Sequence, residues 1–239
     1  MWRTKPTDRF VLRWIKLHLS APLTCRLAGS SALQPKTVTL VAASSGVAAG
    51  VALALGHPLL GGCLGAAGQI LDGVDGQLAR LRGSASARGA FWDSVLDRYA
   101  DGALVFGLGL YILRHPAGLP QSLLLLLFAL AIIGSNLISY SSARASSLAL
   151  DLGGPTRASK GTRTTVIIVA AWATPLTSLA PAVALLYLAV HPQVEVLRRL
   201  RRAGREQKGT SSKGEEPLAA TAPAGDDGPA KSPPHQPKG

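Results

Sequence analysis

Apolar residues fall in long runs broken by short polar, glycine or proline stretches. A run of about 20 residues is long enough to cross a hydrocarbon core of roughly 30 Å as a helix. Read this way, the pattern predicts six spans, at residues 37–56, 59–81, 90–113, 119–140, 164–179 and 180–190, with Pro175 and Pro181 blurring the turn between the last two. The first run is not expected to be a signal-peptide core, because 36 residues precede it and no mature domain follows. Ahead of it, Phe10, Val11, Trp14, Ile15 and Leu17 are mixed with Arg9, Arg13 and Lys16. That mixture predicts an amphipathic helix lying in a headgroup layer, with a solvated helix as the alternative. The expected fold is an all-α polytopic membrane protein. An N-terminal interfacial segment (residues 1–34) precedes a six-helix membrane domain (35–202). From about Gln207 the chain turns to Lys, Gly, Ser, Pro, Glu and Asp, and residues 203–239 are expected to form a disordered tail.

Composition agrees with this pattern. Hydrophobic residues make up 47% of the 239 and charged residues 16%, against about 25% in an average soluble domain. The net charge of +12 does not point to nucleic acid, because the basic residues are neither interleaved with aromatics nor gathered on a polar domain. An anionic membrane surface accounts for them better. The N-terminal segment, Arg82 and Arg88, the set Arg144, Arg157, Lys160 and Arg163, and the run from Arg198 to Arg202 all fall on one side of six spans. Positive loops stay cytoplasmic, so both termini are expected there, in the cell membrane. Cys25 and Cys63 lie far apart, and no two of the five histidines are three or four residues apart. Neither a disulfide framework nor histidine ligation of a metal is expected.

The acids are distributed unevenly. Five of the 13, Asp72, Asp75, Asp93, Asp97 and Asp101, lie within 30 positions, inside or beside predicted spans, where an unpaired carboxylate costs several kcal/mol. Asp72 and Asp75 are three apart and Asp93 and Asp97 four apart, so each pair projects from one helix face. Two neighbouring helices can then turn four carboxylates into one cavity. Oxygen ligands favour Mg²⁺ or Mn²⁺, and four carboxylates suit two ions handling phosphoryl chemistry. Salt bridges to Arg80 and Arg98 are the plainer alternative, but they leave most of the cluster unpaired.

Asp72, Asp75, Gly76, Ala79, Arg80, Gly89, Asp93 and Asp97 together read D-x2-D-G-x2-A-R-x8-G-x3-D-x3-D. This spacing resembles the signature of the CDP-alcohol phosphatidyltransferase family, and the fit extends from about residue 35 to 200. The resemblance implies six membrane helices with the signature on the second and third, Mg²⁺ or Mn²⁺ bound by Asp72, Asp75, Asp93 and Asp97, and Asp97 as general base. It also implies a CDP-linked lipid donor such as CDP-diacylglycerol, an alcohol acceptor, release of CMP, and a homodimer. Gly76 and Ala79 would leave room for the nucleotide and Arg80 would reach the diphosphate. Gly89 would bring the loop close to the third helix. Asp101 continues the same face, as a support to the site or as a paired acid.

Arg144, Arg157, Lys160 and Arg163 are the candidate ligands for an acceptor phosphate. The run from Asp93 to Asp101 looks like members that handle inositol phosphates, so inositol phosphate is the expected acceptor, with glycerol 3-phosphate as the alternative. The same cations could simply follow the positive-inside rule. Three departures stand out: Lys36 where many members have asparagine, Ser146 where an acid often follows Ala145, and no Glu-Arg pair near Arg163. An ion transporter is the alternative from another class, although it would place its carboxylates nearer the bilayer midplane.

Overall fold

The computed structural model describes residues 4, 10–29, 33–151 and 159–213, and every regular element among them is helical. In order these are α1 (Phe10–Ile15), a π-helical turn (Lys16–Ser20), α2 (Ala21–Ala28), α3 (Pro35–Ala54), α4 (Pro58–Leu81), α5 (Ala87–Arg114), α6 (Gln121–Ser147), α7 (Lys160–Ala173) and α8 (Ala180–Lys213). Prolines in the first turns of α3 and α4 preset the helical φ where no backbone donor is needed. Gly83, at φ 63°, ends α4. Its left-handed backbone lets the Ser84 amide close on the Ala79 carbonyl at 2.9 Å. Ser86 then caps α5, its Oγ accepting from the Gly89 amide at 3.1 Å.

Among the described residues, three helices are long and apolar enough to cross a membrane: Pro35–Ala54, Gln121–Ser147 and Ala180–Gly204. α4 and α5 have the length, at 24 and 28 residues, but aspartates and arginines interrupt their apolar runs. α7 has only 14 residues, a rise of about 21 Å. The last two predicted spans need correction. α7 stops at Ala173 and turns follow through residue 179, consistent with Pro175, which has no amide to continue the helical hydrogen bonds. α8 runs past the expected end at residue 190 with Pro192 inside it. It also runs past the boundary at 203 to Lys213. Residues 214–239 lie outside the described residues.

The N-terminal segment also departs from a single straight amphipathic helix. The π turn separates α1 from α2 and carries Lys16 inward to 7% exposure, whereas the sequence places it among headgroups. Trp14, Val11 and Leu19 remain exposed, and Arg9 lies outside the described residues. The segment docks on α4. Ser20 Oγ donates to the Ile70 carbonyl at 2.8 Å, Thr24 Oγ1 to Gln77 Oε1 at 2.7 Å, and Gln77 Nε2 to the Lys16 carbonyl at 2.9 Å.

α3 is the central support, packing along both α4 and α5, and small residues let the backbones meet. A Cβ on Gly46 would lie 2.7 Å from Ala100 Cβ, and one on Gly68 would lie 3.0 Å from the Ala42 carbonyl. A Cβ on Gly107 would strike the Gly50 carbonyl, and one on Gly50 would strike the Ala103 carbonyl. Behind them, Leu53, Leu104, Leu108 and Ile112 pack with Leu185 and Leu188 of α8. α6 and α8 form the second pair. Gly134 makes room for Pro192, and Gln193 Nε2 donates to the Leu130 carbonyl at 2.9 Å.

A methyl group tests this packing. Gly50→Ala drives a Cβ into the Ala103 carbonyl and should lower stability by about 1–3 kcal/mol, as overpacking does. Gly102→Ala meets nothing within 4 Å and should be neutral, or stabilising by up to about 1 kcal/mol, through helix propensity. Melting of both variants in detergent distinguishes them; equal midpoints would remove the close α3–α5 contact as a determinant.

Candidate active site

α4 and α5 both lean on α3 and are joined by the short break at residues 82–86, so their polar faces converge. One carboxylate oxygen each from Asp72, Asp93 and Asp97 lies within 4.8 Å of the others, and all three residues are half-buried. They line a cavity of about 1330 Å³, with Asp75, Gly76 and Arg80 on the same wall. Asp75 stands beside the three-oxygen group. It is buried, with Oδ1 taking the Gly76 amide and Oδ2 lacking a hydrogen-bond partner. Three hard oxygen donors beside an unpartnered buried one suit a divalent cation such as Mg²⁺ or Mn²⁺.

Lys160 enters this cluster from the first turn of α7. Its Nζ lies 2.8 Å from Asp72 Oδ1 and also donates to Asp97 Oδ1. Held between two carboxylates, Lys160 is present as an ammonium. Arg80 lies across Gly76, where a Cβ would come 3.3 Å from its Nη1, so the missing side chain leaves the guanidinium close to the helix backbone. Arg98 lines the cavity with a buried Nη1 that has no hydrogen-bond partner.

Several residues singled out in the sequence sit elsewhere. Ala79 and Gly89 do not line the cavity; their backbones serve the end of α4 and the start of α5. Arg144 is exposed and also outside the lining, and Arg157 lies outside the described residues. Arg163 is fully buried and paired with Asp101, which makes Asp101 a paired acid and leaves Arg163 committed. Three cavity cations, Lys16, Arg98 and Arg199, were not assigned to the site from sequence. Lys16 is brought in by the π turn. Arg199 Nη1 donates to the Ile138 carbonyl at 2.7 Å, Ser141 Oγ at 2.6 Å and Ser142 Oγ at 2.9 Å. Glu195, four residues before Arg199 and buried with it, was the available signal.

A family model described as CDP-alcohol phosphatidyltransferase matches residues 32–193. A bifunctional IPC transferase and DIPP synthase of Rubrobacter xylanophilus is 40% identical over 116 residues, covering 47% of this chain and 24% of that protein. An archaetidylinositol phosphate synthase of Pyrococcus horikoshii is 34% identical over 116 residues, 48% of this chain and 57% of that one. The matches thus span less than two thirds of these curated relatives. The phosphatidylinositol phosphate synthase of Mycobacterium tuberculosis, solved with CDP-DAG bound, superposes with a TM-score of 0.67 at 26% identity, covering 77% of this chain and 92% of that one. It has also been solved with manganese and citrate.

The burial of Arg163 predicts a stability effect. Arg163→Leu should destabilise the protein by about 3–5 kcal/mol, because Asp101 is left buried and uncompensated. Adding Asp101→Leu should recover much of the loss. Denaturant titration in micelles measures both, and an Arg163→Leu variant as stable as the parent would mean that the pair does not support the fold.

Proposed function

Since the chain belongs to the CDP-alcohol phosphatidyltransferase family, we propose that it moves a phosphatidyl group from a CDP-linked lipid such as CDP-diacylglycerol to inositol phosphate, releasing CMP, in phospholipid biosynthesis. The convergence of Asp72, Asp93 and Asp97 on the wall of one large cavity carries this reading. Inositol phosphate as acceptor is supported by the archaetidylinositol phosphate and phosphatidylinositol phosphate synthases among the relatives. It is also supported by the cations on the cavity wall.

In this reading Asp72, Asp75, Asp93 and Asp97 hold two ions, Mg²⁺ or Mn²⁺. Such ions neutralise a diphosphate and stabilise CMP as it leaves. Gly76 opens the helix face to the nucleotide, with Ala79 and Gly89 shaping the helix ends near it, and Arg80 donates to the diphosphate. Asp97 takes the proton of the acceptor hydroxyl as its oxygen bonds to the lipid-bearing phosphorus. The bond from that phosphorus to the bridging oxygen breaks, and CMP keeps the electron pair. Arg98 and Arg199 face the acceptor phosphate, with Arg157 a further candidate.

The six helices α3–α8 cross the cell membrane as the membrane domain, residues 35–202, with α1 and α2 at its inner surface. The site and both termini face the cytoplasm, a placement supported by the basic loops. The homodimer implied by the family resemblance is part of the same proposal.

The test is Mg²⁺- or Mn²⁺-dependent CMP release from labelled CDP-diacylglycerol by the purified protein. Asp97→Asn should cut turnover by about 10²–10⁴-fold without unfolding the protein, and chelation should abolish it. Inositol phosphate should outpace glycerol 3-phosphate, serine and free inositol. Faster turnover with an uncharged acceptor would remove the phosphate role of the arginines, and ion flux without CMP release would replace the enzyme reading with a transporter.

A further inference from the structure

The cation nearest the acidic cluster belongs to the protein. Lys160 Nζ holds Oδ1 of Asp72 and Oδ1 of Asp97, two of the three acids whose carboxylate oxygens converge closely enough to hold a divalent ion. Its backbone is fixed from two directions. Gln69 Nε2 donates to the Gly161 carbonyl and to Thr165 Oγ1, both at 3.1 Å, and the buried Arg163–Asp101 pair lies one turn further along α7. The lysine side chain retains 25% exposure and lines the cavity. It therefore has room to swing while its anchor stays still.

A divalent ion coordinated at about 2.1 Å by these oxygens would lie within a few ångströms of the ammonium. Two cations that close repel strongly. The ammonium must then turn away from the acids, and the acceptable partner within its reach is an anion in the same cavity.

We propose that Lys160 is a tethered counter-ion: it holds Asp72 and Asp97 together, yields them to an incoming divalent cation, and turns its ammonium onto a substrate phosphate, so that cation and anionic substrate load together. The proposal rests on the reading of the aspartates as metal ligands, and it separates from a static salt bridge by direction. If Lys160 only braced the cluster, removing it would let the carboxylates splay and weaken cation binding. A displaced competitor predicts tighter binding on its removal.

The experiment measures Mn²⁺ binding by EPR on the purified full-length protein in detergent, for the parent, Lys160→Met, Lys160→Gln and Lys160→Arg. Each is measured alone, with CDP, and with myo-inositol 1-phosphate. The Met and Gln variants should bind Mn²⁺ severalfold or more tightly than the parent when no phosphate compound is present. Lys160→Arg should keep the weak binding of the parent. An added phosphate should strengthen Mn²⁺ binding more in the parent than in the Met variant. If this excess appears with CDP the donor phosphate receives the ammonium, and if with inositol phosphate the acceptor's does. Binding by both neutral variants that is equal to or weaker than the parent's overturns the proposal, as does an equal phosphate effect in parent and variant. Absence of Mn²⁺ binding in every form, including an Asp93→Asn control, overturns the metal reading and this proposal with it. A loss confined to Asp93→Asn leaves the metal reading intact, so the comparison among Lys160 variants is decided separately.

Discussion

Three carboxylates held within 4.8 Å repel one another, and the surrounding structure is arranged to withstand it. Two unit charges at that separation, with an effective dielectric near 20, repel by about 3 kcal/mol. Three such pairs approach the whole net stability of an ordinary domain. The compensation comes from several elements at once. α7 supplies Lys160, the π turn supplies Lys16, close enough to Asp72 for the charges to interact, and Arg80 and Arg98 line the same cavity. An arrangement this charged can be kept only if the helices carrying it cannot move apart.

That restraint is steric. Between apolar helices in a lipid-like medium, burial of apolar surface gives little net drive, and close packing of small residues takes over. Gly68, opposite Ala42, precedes Asp72 by one turn, and Ala100, opposite Gly46, follows Asp97 by nearly one. The backbone contacts that set the α3–α4 and α3–α5 separations therefore sit next to the acids they position. Arg114, bonded to the Ala54 carbonyl, ties α3 to α5 at their far ends. A larger side chain at any of these glycines would act on the carboxylates through the helix axes.

The parts of the site legible in the sequence were those governed by spacing along one helix. The intervals of three and four between aspartates fixed which carboxylates share a face, and the brevity of the link between α4 and α5 brought the two faces together. What the sequence did not disclose depended on partners distant along the chain. Arg144, Lys160 and Arg163 look alike as loop-side cations, yet one is exposed, one bridges two acids, and one is buried against Asp101. Counting positive charges by side of the bilayer gives all three the same meaning. Lys16 was misread for a related reason: a π turn inserts one residue per turn relative to an α-helix and rotates the apolar-basic pattern, so the basic face drawn on regular helical spacing is not the face that forms. α8 continues through Pro192, a residue that disfavours a helix interior, and that proline packs against Gly134 of α6.

The signature itself divides along these lines. Of its fixed positions on α4, Asp72, Asp75, Gly76 and Arg80 line the cavity and Ala79 does not. Its open positions include Gly73 and Gln77, and these hold the N-terminal segment, which lies before the family match begins at residue 32. A Cβ on Gly73 would strike Ser20, and fully buried Gln77 bonds both to Thr24 and to the Lys16 carbonyl. One face of α4 thus carries the signature's chemistry, while two residues that the signature does not fix attach the N-terminal segment. Because that segment delivers Lys16 into the same cavity, a substitution at Gly73 or Gln77 would alter the electrostatics around the four aspartates without changing any of them.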